Sequence, residues 1–227
     1  MPYYYMNTSY IIYILPGLIL ALYAQAKVKG AYKKYGEIFS QSGYTGATIA
    51  REILDRNGLS NIPIQRVSGN LTDFYNPGDK TLHLSEGVYG ANSVAALAIA
   101  AHECGHALQD ATDYAPLRIR SYLVPAAQFG SNFAFILFFA GLFFSQFLMN
   151  LGIALYAIAV LFTLVTLPVE YNASGRAKTI LAGILPQGEM EGVHSMLNAA
   201  ALTYVASMAT ALGTLFRLLA LSGNRRD

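Results

Sequence analysis

The sequence predicts a mainly α-helical membrane protein with three or four transmembrane helices and a small polar α+β domain. Three observations predict it. Hydrophobic residues make up 54% of the 227 and charged residues only 12%, about half the usual charged share of a soluble domain, so part of the surface must face something other than water. Four apolar stretches approach the roughly 20 residues that cross a hydrocarbon core. The charged residues that remain cluster between the first and second stretches: 10 of the 15 Lys+Arg fall between Lys27 and Arg120.

The first apolar stretch runs from about Thr8 to Ala26, with Tyr3, Tyr4, Tyr5, Tyr10 and Tyr13 at its outer end and Lys27, Lys29, Lys33 and Lys34 after it. Tyrosines at one edge and lysines at the other suit an interfacial belt and a cytoplasmic flank. Pro16 and Gly17 are candidate kink positions. No basic region precedes the stretch and no small-residue cleavage pattern follows it, so it reads as a retained anchor. The second and third stretches, about Tyr122 to Phe147 and Leu151 to Pro168, are expected to form a hairpin turning at Met149 and Asn150. The fourth runs from about Met196 to Leu221. Its small residues, among them Ala199, Ala206, Ala209 and Gly213, favour close helix packing in lipid.

The positive-inside rule places the polar segment in the cytoplasm and the N-terminus outside. A fourth complete span would put Arg225 and Arg226 outside, against that rule. The expected division is residues 1–26 as the first span and 27–121 as a cytoplasmic α+β domain. Residues 122–168 form the membrane hairpin, 169–195 a second cytoplasmic segment, and 196–227 a final membrane helix and tail.

Within the polar segment, Thr45 or Thr48 opens a helix ended by Asn57-Gly58. Ile62 to Val67 reads as a strand, Asn76-Pro77-Gly78-Asp79 as a turn, and Thr81 to Ser85 as a short edge-like strand. Asn92 or Ser93 then caps a helix running through Leu108.

That last helix carries His102-Glu103-Cys104-Gly105-His106, an H-E-x-x-H pattern. Spacing of i and i+4 sets both imidazoles on one face, where they can share a zinc ion. Glu103, about 100° further round the helix, is placed to act on water as general base rather than to bind the metal. Cys104 points elsewhere and reads as a core residue. Gly105 weakens the helix by about 1 kcal/mol, which predicts close approach of a neighbouring element. The single cysteine excludes a disulfide framework and a thiolate-rich zinc module. Net charge of +2, without a basic stripe, excludes nucleic acid as a partner.

Catalytic zinc usually has three protein ligands. Glu170, directly after the third apolar stretch, is the best candidate for the third. Two spans separate it from His106, so the chain returns to the same side of the membrane. His194 and His83 are the other candidates. His194, Arg176 and Tyr204 compete for stabilising a transition-state oxyanion, and the sequence does not choose. An edge strand at His83 would also offer backbone pairing to an extended substrate.

Ala101 to Gln109, the Asp73–Pro77 and Leu82–Ser85 lead-in, and Tyr114-Ala115-Pro116-Leu117 resemble the YugP-type family of bacterial neutral zinc metallopeptidases. More distantly, the layout is similar to the HtpX/Ste24 type. The resemblance implies a membrane-bound, gluzincin-like peptidase with a zincin-like catalytic domain and one zinc ion. In the more distant group the third ligand is the Glu of an E-x-x-x-D pattern. Here Glu170 takes the Glu position and Ser174 stands in place of the Asp. Ser174 or Asn172 is therefore expected to orient a histidine ligand through a weaker hydrogen bond.

The expected activity is hydrolysis of a peptide or membrane-protein substrate at the cytoplasmic face of the cell membrane. A zinc-dependent hydrolase of a lipid-linked or other non-peptide amide is the alternative, and a non-enzymatic protein with structural zinc is a third reading. Oligomeric state is not legible.

Overall fold

The computed structural model describes residues 10–223. Tyr3, Tyr4, Tyr5, the expected start at Thr8, Arg225 and Arg226 lie outside the described residues. The architecture is mainly helical with a small three-stranded sheet. Four helical stretches are long and apolar enough to cross a membrane, the fourth included.

The elements in chain order are α1 (Leu15–Gly36), α2 (Gly46–Arg56), β1 (Ile64–Val67), β2 (Phe74–Asn76), β3 (Thr81–Ser85), α3 (Glu86–Tyr89), α4 (Val94–Ala111), α5 (Ala115–Phe144), α6 (Gln146–Ala182) and α7 (Met190–Gly223). The chain divides into two compact units. One comprises Met1–Ala24, Pro116–Pro168 and Thr203–Asp227, the other Gln25–Ala115 and Val169–Leu202.

In the first unit, helices approach one another at small residues. A methyl group on Gly152 would come within 2.6 Å of the Ala134 carbonyl oxygen. Phe138, Met149 and Leu218 form a small buried cluster. The hairpin turns at Ser145, whose hydroxyl accepts a hydrogen bond from the Phe147 N–H at 3.2 Å, and not at Met149 and Asn150 as expected. Both of those residues lie inside α6. Inside that helix the polar Asn150 side chain accepts from Gln146 Nε2 at 3.0 Å.

The second unit has a continuous core. α2 is opened by a reciprocal Thr45/Thr48 capping box and buries Ile49, Ala50, Ile53 and Leu54 along one face, the spacing of an amphipathic helix. These side chains share a core with Leu82 and Leu84 of β3 and Leu97 of α4. Ser93 caps α4 by accepting from the Ala96 N–H, and every residue from Val94 to Gln109 is buried. A helix apolar on nearly all sides belongs in an interior, so the ionisable groups it carries need partners there.

The sheet order is β1-β3-β2. β3 pairs in parallel with β1 and antiparallel with β2. It is the central strand, not the edge expected from its alternation, so His83 has no free edge to offer a substrate. β1 lies within the strand expected at Ile62 to Val67, but its parallel return to β3 across a long connection was not foreseen, nor was β2, which is only three residues long.

Candidate metal centre

Three elements of the second unit build the site: α4, the part of α6 that follows Pro168, and β2. On α4, His102 and His106 stand one turn apart with ring centroids 4.8 Å apart and ring planes at 86°. Both are buried, each 8% exposed.

Glu170 on α6 meets them. Its Oε2 lies 3.2 Å from His102 Nε2 and 3.6 Å from His106 Nε2, and Glu170 itself is 1% exposed. The ligand atoms of these three residues all lie within 4.8 Å of one another, and they form the one group among the described residues that could hold a metal. His83 and His194 are not part of it. His83 stacks on Phe74 at 4.4 Å, and its buried Nδ1 has no hydrogen-bond partner among the described residues. His194 is exposed on α7.

The approach of α6 to α4 depends on Gly105. A methyl group there would come within 2.7 Å of the Ala173 carbonyl oxygen. Any larger side chain would hold Glu170 away from the histidines.

The two imidazoles are held from behind. His102 Nδ1 lies 3.1 Å from the Ser174 hydroxyl. His106 Nδ1 lies 3.0 Å from Gln109 Oε1. Asn172 reaches neither ring. Its Oδ1 accepts from Gln109 Nε2 at 3.0 Å and from Arg176 Nε at 2.9 Å. Arg176 also reaches the Thr112 hydroxyl at 3.4 Å. Tyr204 belongs to the other compact unit, where it is half-buried on α7.

Burial opposes a charge on His106. The Glu170 carboxylate beside it and the negative charge of Glu103 outweigh that opposition and raise its pKa above the ordinary imidazole value.

Glu103 is 9% exposed. Its Oε2 accepts the Tyr75 backbone N–H of β2 at 3.0 Å, and its Oε1 takes no hydrogen bond among the described residues. The Tyr75 hydroxyl donates to Asp110 Oδ2 at 2.8 Å, so one residue ties β2 to α4 at two points. Burial, then the hydrogen bond to Asp110, pushes the Tyr75 phenol well above its usual range. Cys104 faces away, with its thiol donating to the Ala50 carbonyl at 3.7 Å and its pKa pushed up by burial.

Gln109, Tyr75 and Asp110 were not anticipated from the sequence. Gln109 alone carried a signal, since it lies at i+3 from His106, within side-chain reach on the same helix face.

Comparison with known proteins identifies the family. Residues 10–223 match a family described as "Putative neutral zinc metallopeptidase". The "Putative membrane protease YugP" of Bacillus subtilis (strain 168) is 43% identical over 221 residues, covering 96% of this chain and 98% of that protein. No solved structure matches the chain significantly. The relative's name and the four apolar helices together describe a multi-pass membrane protein with a protease role. With nearly its whole length matched, the chain belongs to the family described as putative neutral zinc metallopeptidases.

Proposed function

We propose that the protein is a membrane-bound, zinc-dependent endopeptidase. In this reading His102, His106 and Glu170 hold the metal, and Glu103 moves the proton. One observation carries it: two imidazole Nε2 atoms converge on a single carboxylate oxygen, at 3.2 and 3.6 Å. Tetrahedral zinc with ligand bonds of about 2.0–2.1 Å sets neighbouring ligand atoms about 3.4 Å apart, so these side chains need little rearrangement to bind it. Two imidazoles and one carboxylate also match the donor set of catalytic zinc, which keeps a fourth position open. When bound, zinc supplies Lewis acidity, which acidifies water and polarises a substrate carbonyl.

The chain's own groups do the rest. Glu103 is anchored through Oε2 by the Tyr75 N–H, which leaves Oε1 to take a proton from the attacking water. The same carboxyl then returns that proton to the amide nitrogen as the peptide bond breaks. Ser174 and Gln109 hold the rings of His102 and His106 from the side away from Glu170.

The segments 27–121 and 169–195 together make a zincin-like catalytic domain in this reading, and 1–26, 122–168 and 196–227 make the membrane part. The lysines after the first span and Arg118 and Arg120 before the second assign the catalytic domain to the cytoplasmic face of the cell membrane. Substrates are then peptides or segments of membrane proteins presented at that face.

Glu103→Gln tests the mechanism. The full chain purified in detergent should keep one zinc and lose about 10²–10⁴-fold in peptide hydrolysis. Undiminished hydrolysis by that variant would end the proposal.

A further inference from the structure

Gln109 is fully buried, and both ends of its side-chain amide are engaged. Oε1 faces His106 Nδ1 at 3.0 Å, while Nε2 donates to the Val169 carbonyl at 2.8 Å and to Asn172 Oδ1 at 3.0 Å. Asn172 Oδ1 also accepts from Arg176 Nε at 2.9 Å.

The outer end of this chain fixes its direction. A guanidinium has donors and no acceptor, so the Asn172 atom turned toward Arg176 must be the carbonyl oxygen. That oxygen and the Val169 carbonyl are both acceptors, so the Gln109 atom between them must be its NH2. The other end of Gln109 is then the carbonyl oxygen, and the His106 Nδ1 it faces must carry a hydrogen. A neutral imidazole has only one N–H, so His106 Nε2 keeps its lone pair on the side of Glu170 Oε2, 3.6 Å away. His102 lacks such a device: the Ser174 hydroxyl can donate or accept, so it orients the ring without choosing the tautomer.

We infer that Arg176, Asn172 and Gln109 form a directional hydrogen-bond relay that fixes the tautomer and ring orientation of His106, presenting Nε2 to the metal. The relay also sets the register of two helices. Gln109 lies on α4, and its partners Val169 and Asn172 flank Glu170 on α6. His106 and Glu170 are thereby held at one spacing by groups that do not bind the metal. Gln109 and Arg176 are positioning residues, and the Arg176 guanidinium works behind the site.

The inference rests on the zinc reading for one of its two readouts only. The first readout is the ¹⁵N spectrum of His106 in metal-free full-length protein, at a pH where the ring is neutral. Wild type should show the Nδ1–H tautomer. Gln109→Met should switch toward Nε2–H, with that hydrogen donated to Glu170. The second readout is zinc affinity by chelator competition, expected to fall about 10–100-fold in Gln109→Met and by less in Arg176→Met. Arg176 is only half-buried, so its variant tests the relay even if Gln109→Met fails to fold. An Nε2–H tautomer in wild type would overturn the relay. So would wild-type tautomer and zinc affinity in every variant that folds. Absence of zinc binding in wild type would instead overturn the zinc reading, leaving the tautomer to judge the relay.

Discussion

Asp73 accepts two hydrogen bonds from Ser85, one from the backbone N–H at 2.7 Å and one from the hydroxyl at 2.9 Å. Burial nevertheless raises its pKa above the ordinary 3.8, with a smaller push from the charge of Glu103, and the Ser85 bonds only partly offset this. A carboxyl whose folded-state pKa is raised contributes stability that is complete below its unfolded value and lost as pH rises through the folded one. The melting temperature of wild type relative to Asp73→Asn should therefore fall as pH is raised from the unfolded value through the folded one. A relative melting temperature that climbs over that range would contradict the assigned burial. At the same scale, much of the candidate site was legible. The i, i+4 spacing brings His102 and His106 together, and counting spans returns Glu170 to their side. The i+3 spacing put Gln109 within reach of His106 but did not single it out, because the ring angle of His106 decides which neighbour Nδ1 meets.

At the scale of elements, the contact between α4 and α6 decides whether the three candidate ligands meet. Gly105→Ala would raise helix propensity by about 1 kcal/mol. It would also set a methyl group within 2.7 Å of the Ala173 carbonyl, an overpacking that costs about 1–3 kcal/mol. The expected result is a lower melting temperature together with weaker zinc binding. A higher melting temperature with unchanged zinc affinity would show that the helices are not held at this separation. Element boundaries were less legible than element identities. The apolar stretches end near Ala26 and Pro168, yet α1 continues to Gly36 and α6 to Ala182. Backbone hydrogen bonding is indifferent to where side chains turn polar, so composition marks where lipid-facing surface stops and leaves the helix end undetermined. β3 misled for a related reason, since alternation reports which face is buried and says nothing of whether both edges are paired.

At the scale of the whole molecule, the proposed orientation rests on charge. Cys104 is fully buried with its thiol pKa raised, so the native chain offers alkylating reagents no reactive thiol. Ser60→Cys places a thiol at an exposed position of the polar unit. In intact cells it should resist a membrane-impermeant maleimide and react only after permeabilisation. Labelling from outside would reverse the topology and with it the cytoplasmic assignment of the site. Three of the four long apolar helices were legible because each needs a long apolar run, while the charge of Arg225 and Arg226 left the fourth open. The assembly of the polar unit from two distant stretches was legible only through the parity of the spans between them.

In the proposed mechanism His102 and Glu170, 68 positions apart in the chain, close one zinc site with His106. Zinc content by elemental analysis of full-length protein in detergent, wild type beside Glu170→Ala, tests it most directly. One zinc per chain in wild type and far less in the variant is the predicted result. Equal zinc in both would remove Glu170 from the site, and no zinc in wild type would contradict the metallopeptidase mechanism itself.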